Sequence, residues 1–344
     1  MGERGFLQYT REIYIHNARQ VDNPDTDTFT PDTLLPHIHH FQSLDRVHAI
    51  TIEHFDSDVW ASRYKSYFAH FYPTLTSLTL RRPLGHQRRV FQFALQFPNL
   101  ENLSLEWVDK NVGRDLTAPT IGDQPSHPRR HLRLARTGGA NWWPMNSFHE
   151  LRNGFNFRSL ELEDSFGDHD QDLLNMCTET IQYLALTAST SKGTHGLWSL
   201  SPGNRELLTN FLPAEYEQLR FLKLTELKDL RRLTVCPVVL TFPNIAFEFL
   251  PILTITSPTF CELVLVVGGF CSYSNEMSWG RWAKVDGFLH ERFAKHGDFR
   301  LIIRTGNRYS LGAFQRHAKE GFPLLASGGC IHFDTSPLID KYWD

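Results

Sequence analysis

Two copies of one phrase constrain this chain more than any other feature. Tyr72-Pro73-Thr74-Leu75-Thr76-Ser77-Leu78-Thr79-Leu80 returns 25 residues later as Phe97-Pro98-Asn99-Leu100-Glu101-Asn102-Leu103-Ser104-Leu105. The closing Leu-x-Leu alternates apolar and polar positions, as a strand with one buried face does. Ahead of each copy lies a segment with helical spacing. Val59, Tyr64, Tyr67, Phe68 and Phe71 gather within Ser57 to Phe71, and Val90, Phe91, Ala94 and Leu95 within Gln87 to Gln96. Proline cannot continue a helix, so the aromatic-Pro pair ends each helix and starts the next strand.

Worn copies of the phrase fill the rest of the chain. Taking the central apolar residue of each predicted strand gives Ile13, Ile50, Leu78, Leu103, Leu132, Leu160, Leu184, Leu222, Phe247, Leu263 and Leu301. From Ile50 to Leu184 the intervals are 28, 25, 29, 28 and 24 residues, the upper edge of leucine-rich spacing. The expected fold class is therefore α/β: an irregular leucine-rich-repeat-like solenoid, with a curved, mostly parallel sheet and outer helices. A solenoid grows by stacking and need not divide. Residues 1–344 are read as one domain, with a regular core over about 44–267, an insertion loop at 109–130 and a C-terminal cap over about 268–344. The insertion is the most loop-like stretch, with Gly113, Pro119, Gly122, Pro125 and Pro128.

Further helices are predicted at Asp32 to Phe41, Met145 to Asn153, His169 to Thr178, Asn204 to Phe211, Arg281 to His296 and Leu311 to Glu320. Strands are predicted at Val47 to Ile52, Phe157 to Leu162, Ile181 to Leu186, Leu219 to Leu224 and Arg300 to Arg304, with Ile331-His332-Phe333 as a short edge strand. Phe260 to Val267 is apolar at nearly every position, which argues for a strand covered on both faces.

Charge is balanced, with 35 Lys+Arg against 38 Asp+Glu, so bulk composition asks for neither nucleic acid nor an anionic membrane. The 5 cysteines lack the spacing of a zinc site or a disulfide framework. No stretch approaches the ~20 apolar residues of a membrane span, and Met1 to Phe6 does not open a signal peptide. These features fit the cytoplasm or nucleus.

The second copy of the phrase, with His131-Leu132-Arg133-Leu134, Phe157-Arg158-Ser159-Leu160-Glu161-Leu162 and Cys177 to Leu186, resembles the fungal F-box proteins of mushroom-forming species that carry degenerate leucine-rich repeats. The resemblance runs from about Phe6 to about Gly269. It implies that the repeats bind a protein substrate, and that an F-box ahead of them joins a cullin ubiquitin ligase through its adaptor. The sequence departs from that pattern by starting at the first repeat strand, Arg11 to Ile15, so adaptor and cullin are expected as partners only if an F-box is supplied. Pro83, Val108, Ser165, Ser189 and Leu227 stand where the repeat normally has Asn or Cys, so no asparagine ladder is expected and the solenoid should be flatter or distorted.

Candidate chemistry is sparse. His37, His39 and His40 lack a carboxylate or cysteine to complete a metal shell. The run Asp164, Asp168, His169, Asp170 and Asp172 matches no calcium loop and suits a helix N-terminus. Neither a Gly-x-Ser-x-Gly elbow nor a phosphate loop is present. The expectation is a binding protein without enzyme activity, cofactor or metal. Trp142-Trp143 reads equally as a partner anchor or as a plug beneath the insertion, and Arg129, Arg130, Arg133 and Arg136 make a weak case for nucleic acid. Alternation places Thr79, Arg81, Ser104, Glu106, Arg133, Glu161, Glu163, Tyr183 and Lys223 on the outward sheet face, with Val264 and Val266 at its covered end. Of these, Arg81, Glu106, Arg133, Glu161, Glu163, Tyr183 and Lys223 are the expected contacts to an unidentified protein partner, because both charge signs surround an aromatic residue.

Overall fold

The computed structural model describes residues 10–16, 44, 46–55, 68–83, 87–106, 127–135, 155–163, 168–187, 222–238, 255–267, 279–295, 297–305 and 311–334. The chain divides into two compact units, Met1–Arg158 and Ser159–Asp344. In the first, β1 (Glu12–His16), β2 (Ala49–Glu53), β3 (Ser77–Arg81), β4 (Asn102–Glu106) and β5 (His127–Ala135) pair in chain order, each parallel to the next. The boundary falls within β6 (Phe155–Glu163), whose last five residues pair with β7 (Tyr183–Thr187). The second unit continues in parallel through β8 (Arg232–Val238), β9 (Glu262–Val267), β10 (Arg300–Thr305) and β11 (Ile331–Asp334). The α/β class and the parallel strands agree with the sequence expectation.

Register follows from the leucines. Ile13, Ile50, Leu78, Leu103 and Leu132 stand opposite one another across the first unit, and so do Leu160, Leu184, Leu233, Leu263, Leu301 and Ile331 across the second. A slip of one residue would turn every apolar side chain to the other face, so burial of one face locks the pairing.

A backbone device repeats at strand entry. The carbonyl just before one strand accepts two consecutive amides from the next: Arg11 O from His48 and Ala49, His48 O from Thr76 and Ser77, and Thr76 O from Glu101 and Asn102. Gln182 O takes Arg231 and Arg232, and Arg231 O takes Cys261 and Glu262, all ten contacts lying between 2.8 and 3.2 Å. Side chains reinforce the same turns. Asn99 Nδ2 donates to Pro73 O at 2.8 Å, and Ser257 Oγ to Lys228 O at 2.9 Å. These ties join neighbouring coils at the strand entries, ahead of the position where an asparagine ladder would stand.

Strand exit repeats as well. His54 and Arg82, which follow β2 and β3, take left-handed φ values of 56° and 48° and donate their amides to Arg81 O and Glu106 O. Side chains with a Cβ visit this region at a cost of about 1 kcal/mol, which the strand pairing on either side offsets.

Behind the sheet of the first unit lies an aromatic core. Tyr72 and Phe97, the aromatic residues of the two phrases, meet edge to face at 5.3 Å between ring centres. Phe93, on α1 (Gln87–Leu95), packs at 4.8 Å from Phe55, 5.5 Å from Phe68 and 5.3 Å from Phe97. In the second unit, α2 (Asp168–Met176) buries Leu173 and Leu174, and α3 (Trp279–Leu289) buries Trp282, Val285 and Leu289. After α3 a π-helical turn, His290–Ala294, carries Phe293 against Phe260 at 4.9 Å and Phe299 at 5.6 Å. α4 (Leu311–Gly321) and the short α5 (Pro323–Ser327) precede β11. Buried Asp286 on α3 accepts the Leu324 and Leu325 amides at 2.8 and 3.0 Å, capping α5 from another element.

Three sequence expectations are corrected. Residues 222–231 contain no strand: a 3-10 turn, Leu224–Glu226, stands there, and the strand is β8. Leu222, Leu224, Leu227 and Leu230 are all buried at the short steps of turns, whereas the β-branched residues that favour pleated structure, Thr234, Val235 and Val238, come later. The insertion ends sooner than Arg130, since β5 starts at His127. Of the helix predicted over Ser57 to Phe71, residues 57–67 lie outside the described residues, and its end is the 3-10 turn Ala69–Phe71. The expected helices at 32–41, 145–153 and 204–211, the Phe247 marker, His37, His39, His40 and Trp142-Trp143 lie outside the described residues.

Leu103 and Leu160 fill equivalent core positions and are both buried, while Ser104 on the opposite face is partly exposed. Leu103→Ala and Leu160→Ala should each cost about 2 to 5 kcal/mol in chemical denaturation. Ser104→Ala should stay within about 0.5 kcal/mol.

Candidate functional site

With the leucines turned inward, alternate residues face the other side of the sheet. In the first unit one outward column is Tyr14, Thr51, Thr79, Ser104 and Arg133, and a second contains Glu53, Arg81 and Glu106. The columns converge on Glu106. Arg81 Nε donates to its Oε2 at 2.8 Å and Arg133 Nη1 to its Oε1 at 3.0 Å. Glu106 is 8% exposed, so both carboxylate oxygens are engaged beneath the arginines. Burial works against the charge on Arg81, but the Glu106 carboxylate and, after it, Tyr14 together outweigh burial and hold the guanidinium pKa above its ordinary value.

Tyr14 is the most exposed large apolar residue described, at 54%. Its hydroxyl donates to Glu53, and the Arg81 guanidinium carbon lies 6.0 Å from its ring centre. The hydrogen bond to Glu53 is the leading cause that raises the Tyr14 pKa.

The second unit builds a related set from one register row. Tyr183, Arg232, Glu262 and Arg300 are opposite one another on β7, β8, β9 and β10. Arg232 Nε and Arg300 Nη2 donate to the two oxygens of Glu262, which is 5% exposed, and the Arg232 guanidinium stands 5.6 Å from the Tyr183 ring centre. Beside this row the outward column Glu161, Ala185, Thr234, Val264 is buried, as is Val266. The expectation that Val264 and Val266 are covered agrees with the structure.

The expected contact residues thus separate. Arg81, Glu106 and Arg133 come together. Tyr183 stands with arginines and a glutamate absent from the expected set. Glu161 faces outward but is 2% exposed, so its carboxylate is not presented as expected. Glu163 pairs in register with Thr187, and its side chain lies outside the described residues. Lys223 is corrected: it precedes the 3-10 turn, and its backbone amide and carbonyl are both bound by the Gln171 side chain of α2, not set in the strand row. Sequence reasoning missed Tyr14, Arg232, Glu262 and Arg300. Arg232, Glu262 and Arg300 each precede a core leucine by one residue, a signal the sequence offered at the strand markers Leu263 and Leu301 but not at Leu233, where no strand centre is expected.

Among the described residues no group of three or more His, Cys, Asp or Glu could hold a metal ion. No helix among them is long and apolar enough to cross a membrane.

His131 begins the β5 segment that pairs with β4. Burial, with the Arg133 charge adding to it, lowers its pKa from 6.5 to about 4. Between these values the unfolded chain takes up a proton that the folded chain refuses, so stability falls as pH drops through the window and is unaffected above it. At pH 5 the loss relative to pH 7 should be about 2 kcal/mol larger in the wild type than in His131→Gln, measured by urea denaturation.

No protein-family model matches the chain, and no curated protein or solved structure shows significant similarity to it.

Proposed function

We propose that the chain is a degenerate leucine-rich-repeat array that binds a protein partner on its outward sheet face. We further propose that it serves as the substrate-recognition region of an F-box-type ubiquitin ligase component. It acts by binding, without catalysis. The repeated strand entries and the phrase that returns after 25 residues support the repeat reading.

One observation carries the binding reading. Each unit places a tyrosine ring beside an arginine whose guanidinium is held by a buried glutamate. An aromatic residue beside a held guanidinium is the composition that concentrates binding energy at protein interfaces. The net charge of -3 disfavours a polyanion as the general partner.

Affinity capture from cell extract tests the reading. Wild type should retain a reproducible set of proteins that Tyr14→Ser combined with Tyr183→Ser loses, while circular dichroism and melting stay unchanged. With an F-box fused to its N-terminus and adaptor, cullin and ubiquitin enzymes added, the retained proteins should be ubiquitinated. Retention without modification would make the chain a free-standing scaffold, and retention indifferent to both tyrosines would remove the outward face as the binding surface.

A further inference from the structure

Two sets of one tyrosine, two arginines and one glutamate occur on the outward faces, yet their charge balance differs. In the first unit, Tyr14, Arg81, Glu106 and Arg133 are accompanied by Glu53, which accepts from Tyr14. Two guanidinium groups against two carboxylates leave that set neutral. In the second, Arg232 and Arg300 share the single carboxylate of Glu262. Arg231 pairs with Asp229 at 3.9 Å, and exposed Asp298, two residues before Arg300, lies ahead of β10 and outside the register row; within the row itself two guanidinium groups face one carboxylate. The second set therefore keeps one net positive charge.

Access follows the same division. The Glu262 side chain is only 7% exposed, whereas that of Arg300 is 54% exposed. An approaching group meets the cationic edge and cannot reach the anion beneath it. A guanidinium has five N–H donors in a fixed fork, and Glu262 engages one nitrogen of Arg232 and one of Arg300. Their planes are held by that carboxylate before any ligand arrives, so little side-chain freedom remains to be lost on binding. Tyr183, under the Arg232 guanidinium, supplies an apolar wall on one side.

We propose that the Tyr183–Arg232–Glu262–Arg300 row docks an acidic peptide segment of the partner. A carboxylate side chain pairs with the Arg300 fork, and the peptide's apolar atoms lie along Tyr183. This inference rests on the protein-binding reading above and adds the chemistry of the partner. Glu262 is a positioning residue: it orients both arginines without touching the ligand. The first-unit set, neutralised by Glu53, does not bind such a segment and serves as an internal comparison.

The test is fluorescence anisotropy of a labelled decaglutamate peptide titrated with the full chain at low salt, with decalysine and oligouridine as parallel probes. Decaglutamate should bind and decalysine should not. Arg300→Gln should weaken decaglutamate by about fivefold, the scale of one partly exposed charge pair. Arg81→Gln should leave it unchanged. Glu262→Gln should tighten it by a few-fold, because it removes the competing negative charge while its amide oxygen still accepts from a guanidinium and keeps it oriented. A role confined to folding would weaken it, and Arg300→Lys, which keeps the charge but loses the fork, covers the case in which Glu262→Gln does not fold, with an intermediate affinity expected. The proposal is overturned by no decaglutamate binding, by equal effects of Arg81→Gln and Arg300→Gln, or by oligouridine binding more tightly with the same dependence on Arg300. If decaglutamate fails while protein capture still depends on Tyr183, only the partner's chemistry is wrong; if capture is indifferent as well, the binding reading falls with it.

Discussion

A single carbonyl oxygen shared between two amides sets the geometry on which the rest depends. At five strand entries the oxygen before one strand receives both the last turn amide and the first strand amide of the next coil. Forming two hydrogen bonds at one acceptor fixes where each strand begins relative to its neighbour. The register thus has two sources of the same sign, one in the backbone and one in the burial of aligned leucines. An array built this way tolerates large variation between strands. The chain from β7 to β8 runs from Thr187 to Arg232, and that from β3 to β4 from Arg81 to Asn102, yet both deliver the strand at the same register.

Fixing the entry also fixes which residues meet on the outward face. The first residues of β7, β8, β9 and β10 become neighbours although they are far apart in sequence, and the same rule brings Arg81 beside Glu106. Charge pairing between exposed side chains contributes little to stability. Here the glutamates are buried, so the pairs act on orientation, holding guanidinium planes at the surface. In the second unit the adjoining column is buried, from Glu161 to Val264, so the accessible part of its outward face concentrates along the row of strand starts.

Much of this was legible in the sequence because the repeating phrase carries its own punctuation. Aromatic-Pro located the ends of the helix and the start of the strand, and Leu-x-Leu gave both strand and facing side. The edge-to-face contact between Tyr72 and Phe97 is the physical counterpart of the repeat. The reading failed where leucines were plentiful and β-branched residues few. Leu222 and Leu224 imitate Leu-x-Leu, but they are core residues of a turn, and Lys223 went with them to a place beside Gln171. Alternation gave Glu161 its correct side of the sheet and was silent on what lies over it. The Arg–Glu–Arg sets were half visible: Arg81, Glu106 and Arg133 fell in regular repeats, while Arg232, Glu262 and Arg300 follow coils of unequal length.

Native-state amide hydrogen exchange, read residue by residue, tests the shared carbonyl most directly. In the pairs His48/Ala49, Thr76/Ser77, Glu101/Asn102, Arg231/Arg232 and Cys261/Glu262, both amides should exchange slowly and with matching opening free energies within each unit. Slow exchange of the strand amide with unprotected exchange of its predecessor, repeated across the pairs, would contradict the shared acceptor and with it the origin proposed for the register.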